Sequence, residues 1–211
     1  MVTWPDLVSR GRALTSGGGR RILGITGAPG AGKSTVARRL VDALDGAAVL
    51  VGMDGYHLAQ SELRRLGRAD RKGAPDTFDA AGFIALLRRL RTPDAGTVYA
   101  PEFRRAIEEP IAGAVPVPPD VALVLTEGNY LLLDTPPWSA VRGLLDEAWF
   151  LAPDEWTRRG WLIARHRRYG RTEAHAAERT TGSDQHNARL IAPTAARADL
   201  ILDPTQWHSP G

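Results

Sequence analysis

The chain has 211 residues, 43% of them hydrophobic and 24% charged, with a formal net charge of +3. That is the profile of one soluble globular domain with room for a substantial core. Cysteine is absent, which excludes disulfides and thiolate metal sites. No apolar run reaches bilayer-spanning length, and the basic residues are interleaved with acidic ones rather than gathered into a nucleic-acid-binding stripe. Neither a membrane nor a nucleic acid is therefore an expected partner. Asp6, Arg10 and Arg12 interrupt the stretch where a signal peptide needs apolar residues, so the expected address is the cytoplasm.

In chain order, residues 1–14 read as a short amphipathic helix with Pro5 in its first turn, and 15–20 as a glycine-rich connector. "ILGIT" (22–26) is an apolar run that leads into "GAPGAGKST" (27–35), and helical periodicity follows from Lys33 to Leu44. "AAVLVGMD" (47–54) reads as a buried strand, and "DAAGFIALLRRLR" (79–91) as a helix capped by Asp79, with Phe83, Leu86, Leu87 and Leu90 as its core stripe. The stretch 108–120 is rich in proline and is expected to be a surface loop. Strands are expected at 121–128, 147–152 and 198–203, with helical segments at 137–146 and 153–169. Alternating strands and helices predict an α/β fold, a parallel sheet covered on both faces. No repeat or linker divides it. A single domain over 1–211 is expected, with a helix and linker at 1–19, a lid at 153–182 and a tail at 204–211.

Gly27, Gly32, Lys33 and Ser34 satisfy G-x-x-x-x-G-K-[ST] between an apolar strand and a helix. In such a P-loop, residues Gly27, Ala28, Pro29, Gly30, Ala31, Gly32, Lys33, Ser34 and Thr35 wrap the phosphates of a nucleoside triphosphate with backbone N–H groups. Lys33 adds charge at the β and γ phosphates, and Ser34 supplies a hydroxyl to Mg²⁺. A plain strand-to-helix glycine turn is the alternative. The chain has only two lysines, Lys33 and Lys72. Neither sits in an N-K-x-D element, so a GTPase is excluded.

Transfer of the γ-phosphoryl group to a small molecule needs a base, a metal ligand and positive charge. Asp54, in "MDGYHL", falls just past a strand end, where ligands bind in a doubly wound sheet, and could take a proton from an acceptor hydroxyl; an ordinary D-G turn is the alternative. Glu127 ends the strand "VLTEG", and a buried carboxylate there calls for a cation such as Mg²⁺, unless it serves as a cap or a loop ion pair. Arg158, Arg159, Arg165, Arg167, Arg168 and Arg171 follow within one segment. Arg158, Arg165 and Arg168 can share one side of a helix and neutralise transferred charge as a lid, though a charge run is also how a solvated helix face reads. His57 suits a substrate contact or a local turn bond. Trp149, Trp156 and Trp161 are expected to pack the last strand against the lid helix, with an aromatic platform as the alternative.

These pieces, in this order, resemble the uridine kinase, type I pantothenate kinase and phosphoribulokinase group of P-loop kinases, nearest to bacterial nucleoside- or sugar-kinase-like proteins, some labelled fructokinase. The resemblance runs from about residue 20 to 203 and is carried by "GAPGAGKST", "MDGYHL", "RKGAPDTFD", "YAPEFRRAIEEP", "EGNYLLLD", "ARHRRYGR", "HNARLI" and "RADLILD". It implies an ATP- and Mg²⁺-dependent kinase acting on a hydroxyl of a nucleoside, sugar or pantothenate-like compound. Asp54 matches the catalytic aspartate, Glu127 the acidic residue near Mg²⁺, and Arg165 and Arg168 the lid. Tyr56, His57, Lys72, Phe78, Tyr99, Arg105 and Tyr130 fall in motifs that line the acceptor pocket, and Asn187 in a segment that approaches base or acceptor. Arg104 and Ser183 depart from the subgroup's usual Asp and Asn, which bears on the acceptor. A homodimer is the one self-partner considered, and a nucleotide-binding regulatory protein without transfer activity is the alternative function.

Overall fold

The computed structural model describes residues 2–92, 96–170 and 172–207. Arg171 and the last part of the expected tail lie outside them. The elements run α1 (Trp4–Thr15), β1 (Arg21–Gly27), α2 (Lys33–Ala43), β2 (Ala48–Gly52), α3 (Gln60–Arg65), α4 (Ala80–Leu90), β3 (Val98–Arg104) and β4 (Glu109–Val117), then β5 (Leu123–Gly128), β6 (Glu147–Leu151), α5 (Glu155–Arg168), α6 (Glu173–Thr181), α7 (Ser183–Ile191) and β7 (Leu200–Leu202).

Strands β1, β5 and β6 are almost wholly buried, as continuous apolar runs demand when both faces of a parallel sheet are covered. The sheet has five strands in the order β2-β5-β1-β6-β7, all paired in parallel. Side chains alternate between its faces. Ile22, Val51 and Val124 join a core with Phe83, Leu87, Trp138 and Phe150, while Leu23, Ile25 and Leu125 join Val36, Leu40, Leu7 and Trp149 on the other face. The α4 stripe expected from sequence is buried, and Asp79 caps the helix by accepting from the Gly82 N–H.

Two expectations change. Residues 137–146 form two short 3₁₀ turns, Trp138–Ala140 and Arg142–Leu144. Their side chains are tied to distant carbonyls, Trp138 Nε1 to Pro75 and Arg142 Nε to Arg197, so burial and tertiary bonds outweigh helical continuation. The stretch 108–120 is largely strand rather than loop: β4 pairs antiparallel with β3 as a separate two-stranded ribbon. Pro110 and Pro116 face Phe103 and Tyr99 across it. Each strand of a two-stranded ribbon has one unpaired edge, where a missing N–H forfeits no ladder bond.

This hairpin crosses the 3₁₀ turn Met53–Tyr56 that follows β2. A Cβ on Gly55 would stand 2.4 Å from the Pro101 carbonyl oxygen. Backbone cannot yield as a flexible side chain does, so Gly55→Ala should cost about 1–3 kcal/mol. Thermal unfolding checks it: the melting temperature should fall, and an unchanged value would refute the close approach.

Candidate active site

The carboxyl ends of β1, β5 and β2 lie side by side, with Ile25 and Gly52 both level with Glu127. The loop from β1 to α2 leaves this edge. Its Gly27, Gly30 and Gly32 all have positive φ. At Gly30, a Cβ would also meet the Arg158 carbonyl oxygen at 2.8 Å, so the loop needs both glycine's left-handed backbone and its missing side chain. Pro29 and Ala31 are buried, whereas Thr35 is exposed.

Lys33 is only 8% exposed. Its ammonium donates to the carbonyls of Gly27 and Ala28, each at 3.0 Å, and burial pulls its pKa down to about 8. Ser34 Oγ donates to Glu127 Oε1 at 2.8 Å. Glu127 is 8% exposed; burial, joined by the charge of Asp54, raises its pKa. A buried carboxylate with raised proton affinity gains from a cation. Hard oxygens from one hydroxyl and one carboxylate fit Mg²⁺, which draws its other ligands from phosphates and water. Among the described residues no group of three or more His, Cys, Asp or Glu gathers to hold a metal by itself.

Asp54 sits in the turn after β2, half-buried, with Oδ2 accepting from Arg105 Nη2 at 3.1 Å. Burial opposes its charge, yet His57, Arg105, Lys33 and Arg165 together hold its carboxyl below the ordinary value. Arg165, on α5, is half-buried within electrostatic reach of Arg105, Asp54 and Glu127. Lys33, Ser34, Asp54, Glu127, Arg105 and Arg165 thus share one crevice, although they come from five separate parts of the chain.

His57 Nδ1 lies 2.8 Å from the Asp54 carbonyl oxygen, and its ring packs at a tilt against Phe78 and Phe103 at centroid distances of 4.0 and 4.7 Å. Lys72 donates to the Glu108 carbonyl at 2.6 Å. Phe78 is buried against Tyr130 and Trp138, and Tyr56 packs edge-on against Phe83. Tyr130 is fully buried, with its hydroxyl donated to the Gly73 carbonyl, and Asn187 Nδ2 donates to the same oxygen at 3.2 Å, so both brace the backbone at Gly73. Tyr99 is 58% exposed.

The arginine segment is α5, but its arginines do not share one surface. Arg158 is 3% exposed. It donates to the Pro29 carbonyl at 2.7 Å and also bonds Glu155 and Gln185. It clamps the P-loop from behind, because the same helix turn supplies the carbonyl packed on Gly30. Arg168 is exposed at the last residue of the helix. Trp161 lies over Gly32, while Trp156 is 85% exposed and packs no strand against α5; of these three only Trp149 is core. His166 Nε2 meets Asp184 Oδ2 at 2.8 Å, tying α5 to α7. Sequence reasoning missed Phe103, whose only signal is its place within "PEFRR", and Gln185, which has none.

Comparison with known proteins places the chain in a family. The family model described as Phosphoribulokinase / Uridine kinase family matches residues 22–207. A candidate uridine kinase of Schizosaccharomyces pombe is 32% identical, with 95% of this chain and 90% of that protein covered. A pantothenate kinase of Latilactobacillus sakei is 30% identical, covering 89% of this chain and 69% of the other. Among solved structures, a candidate fructose transport system kinase from Silicibacter sp. TM1040 superposes with a TM-score of 0.87 at 35% identity, covering 96% of this chain and all of that one.

Proposed function

The chain belongs to the Phosphoribulokinase / Uridine kinase family, and from that premise we propose that it transfers the γ-phosphoryl group of ATP to a hydroxyl of a small molecule, with Asp54 as the general base. The observation that carries this reading is the convergence of Asp54, Lys33, Arg165 and the Ser34–Glu127 pair on one crevice. The acceptor hydroxyl gives its proton to the Asp54 carboxylate while its oxygen forms a bond to the γ-phosphorus. The bond from that phosphorus to the bridging β–γ oxygen breaks, and ADP leaves with the electron pair. The P-loop N–H groups, Lys33 and Arg165 meet the negative charge on the transferring group, Lys33 by turning its ammonium from the Gly27 and Ala28 carbonyls to the phosphates. Ser34 and Glu127 would hold Mg²⁺, which neutralises phosphate charge when bound.

The names of the relatives span uridine, pantothenate and a fructose transport system, so the acceptor has to be found by experiment. The protein with Mg²⁺ and ATP should release ADP only when a suitable hydroxyl compound is added, and that compound should gain one phosphoryl group by mass. The regulatory alternative draws on the Arg105–Asp54 pair, which occupies the base. It predicts ATP binding with no acceptor-dependent ADP from any nucleoside, sugar, hydroxy acid or pantothenate.

A further inference from the structure

On the acceptor side of Asp54 the crevice carries more positive charge than a neutral acceptor requires. Arg105 stands in the turn between β3 and β4 with its guanidinium 5.9 Å from the Phe103 ring centroid, and the Lys72 ammonium is 5.3 Å from the same centroid. The His57 ring adjoins that phenyl group too. Three carboxylates of the neighbouring turns are engaged elsewhere, and Lys72 itself donates to the Glu108 carbonyl. Glu109 accepts from the Gln60 N–H, Asp76 is bonded by Arg68 and Arg71, and Asp79 caps α4. Lys33 and Arg165 already answer the charge of the donor's phosphates.

Arg105 is also the residue that bonds the base. A carboxylate that accepts from a guanidinium is a weaker base than a released one. A ligand that drew Arg105 toward itself would free Asp54 at the moment an acceptor is bound. A neutral hydroxyl compound offers a guanidinium only uncharged oxygens, which compete weakly with a carboxylate, whereas a carboxylate or phosphate matches its planar fork.

We propose that the acceptor carries an anionic group of its own, a carboxylate or a phosphate, and that Arg105 together with Lys72 binds that group and so releases Asp54 to the hydroxyl. This rests on the kinase reading of the same crevice and narrows its substrate class to acidic hydroxyl compounds. The hairpin turn is the element that selects, because it brings Arg105 over the end of β2.

The test is calorimetric binding in the presence of Mg²⁺ and a non-hydrolysable ATP analogue, which keeps the P-loop filled. The probes are matched pairs: a sugar acid and its sugar alcohol, a sugar monophosphate and its parent sugar, a hydroxy acid and its amide, with uridine as a further neutral compound. At least one charged member should bind about 10- to 100-fold more tightly than its neutral twin. Arg105→Met should abolish that difference, and Arg105→Lys should retain part of it. Arg105 is a partly exposed turn residue, and an unchanged melting temperature would show that the variants fold. Neutral twins binding equally well, no charged probe binding at millimolar concentration, or a preference that survives the Arg105→Met, Lys72→Met double variant would each overturn the assignment. Turnover on the same panel reports on the kinase reading separately. An Arg105-dependent anion preference without ADP release would uphold this inference and remove phosphoryl transfer; release with neutral acceptors alone would do the reverse.

Discussion

Asp54→Asn should lower phosphoryl transfer by about 10²- to 10⁴-fold, the span a positioned general base contributes, while ATP affinity stays within a few-fold. The amide keeps the shape of the carboxylate but cannot take the hydroxyl proton. It also loses the ionic part of the bond to Arg105. ATP contacts should persist because the P-loop is held independently, by Arg158 on the Pro29 carbonyl and by the packing of α5 on Gly30. Single-turnover kinetics with a direct measure of ATP binding separates the two effects. Turnover within a few-fold of the parent protein would remove Asp54 from the role of base.

Lys33→Ala should weaken ATP binding by about 10- to 100-fold, the worth of charge-assisted bonds to phosphate, and lower turnover further, since the same ammonium meets charge that grows during transfer. Its effect on the fold should be small. The buried ammonium is paired only with carbonyls in the hydrogen bonds it makes, and burial already works against its charged form strongly enough to bring its pKa to about 8. Removing a desolvated charge offsets the packing lost with the side-chain stem. A variant with an unchanged melting temperature and weakened ATP binding is the expected outcome. Unaltered ATP affinity in a folded variant would contradict the role given to the loop.

The sheet and the donor side of the crevice were legible because their signals are local. Strands β1, β5 and β6 announce themselves as apolar runs, and the loop at 27–35 is a contiguous motif. Asp54 and Glu127 could be located because strand ends in a parallel sheet share an edge, and the register brings Glu127 level with Gly52. The acceptor side was harder to read because it is assembled at long range. The prolines of β4 argue against a strand unless the ribbon is known to have only two members, and without that ribbon Arg105 has no route to Asp54. Helical spacing grouped Arg158 with Arg165, but only the packing of α5 against the P-loop shows that one is a buried clamp and the other faces the crevice. Tyr130 and Asn187 share the Gly73 carbonyl from separate elements, a convergence that no spacing within either motif discloses.

The central claim is that donor loop and base face each other across one crevice, and a crystal structure with Mg²⁺ and a non-hydrolysable ATP analogue tests it most directly. The account predicts the γ-phosphate under the P-loop N–H groups and Lys33, the metal between Ser34 Oγ and Glu127, and the Asp54 carboxylate on the open side of the γ-phosphorus, opposite the bridging oxygen. A γ-phosphate directed away from Asp54, or a metal touching neither Ser34 nor Glu127, would contradict it.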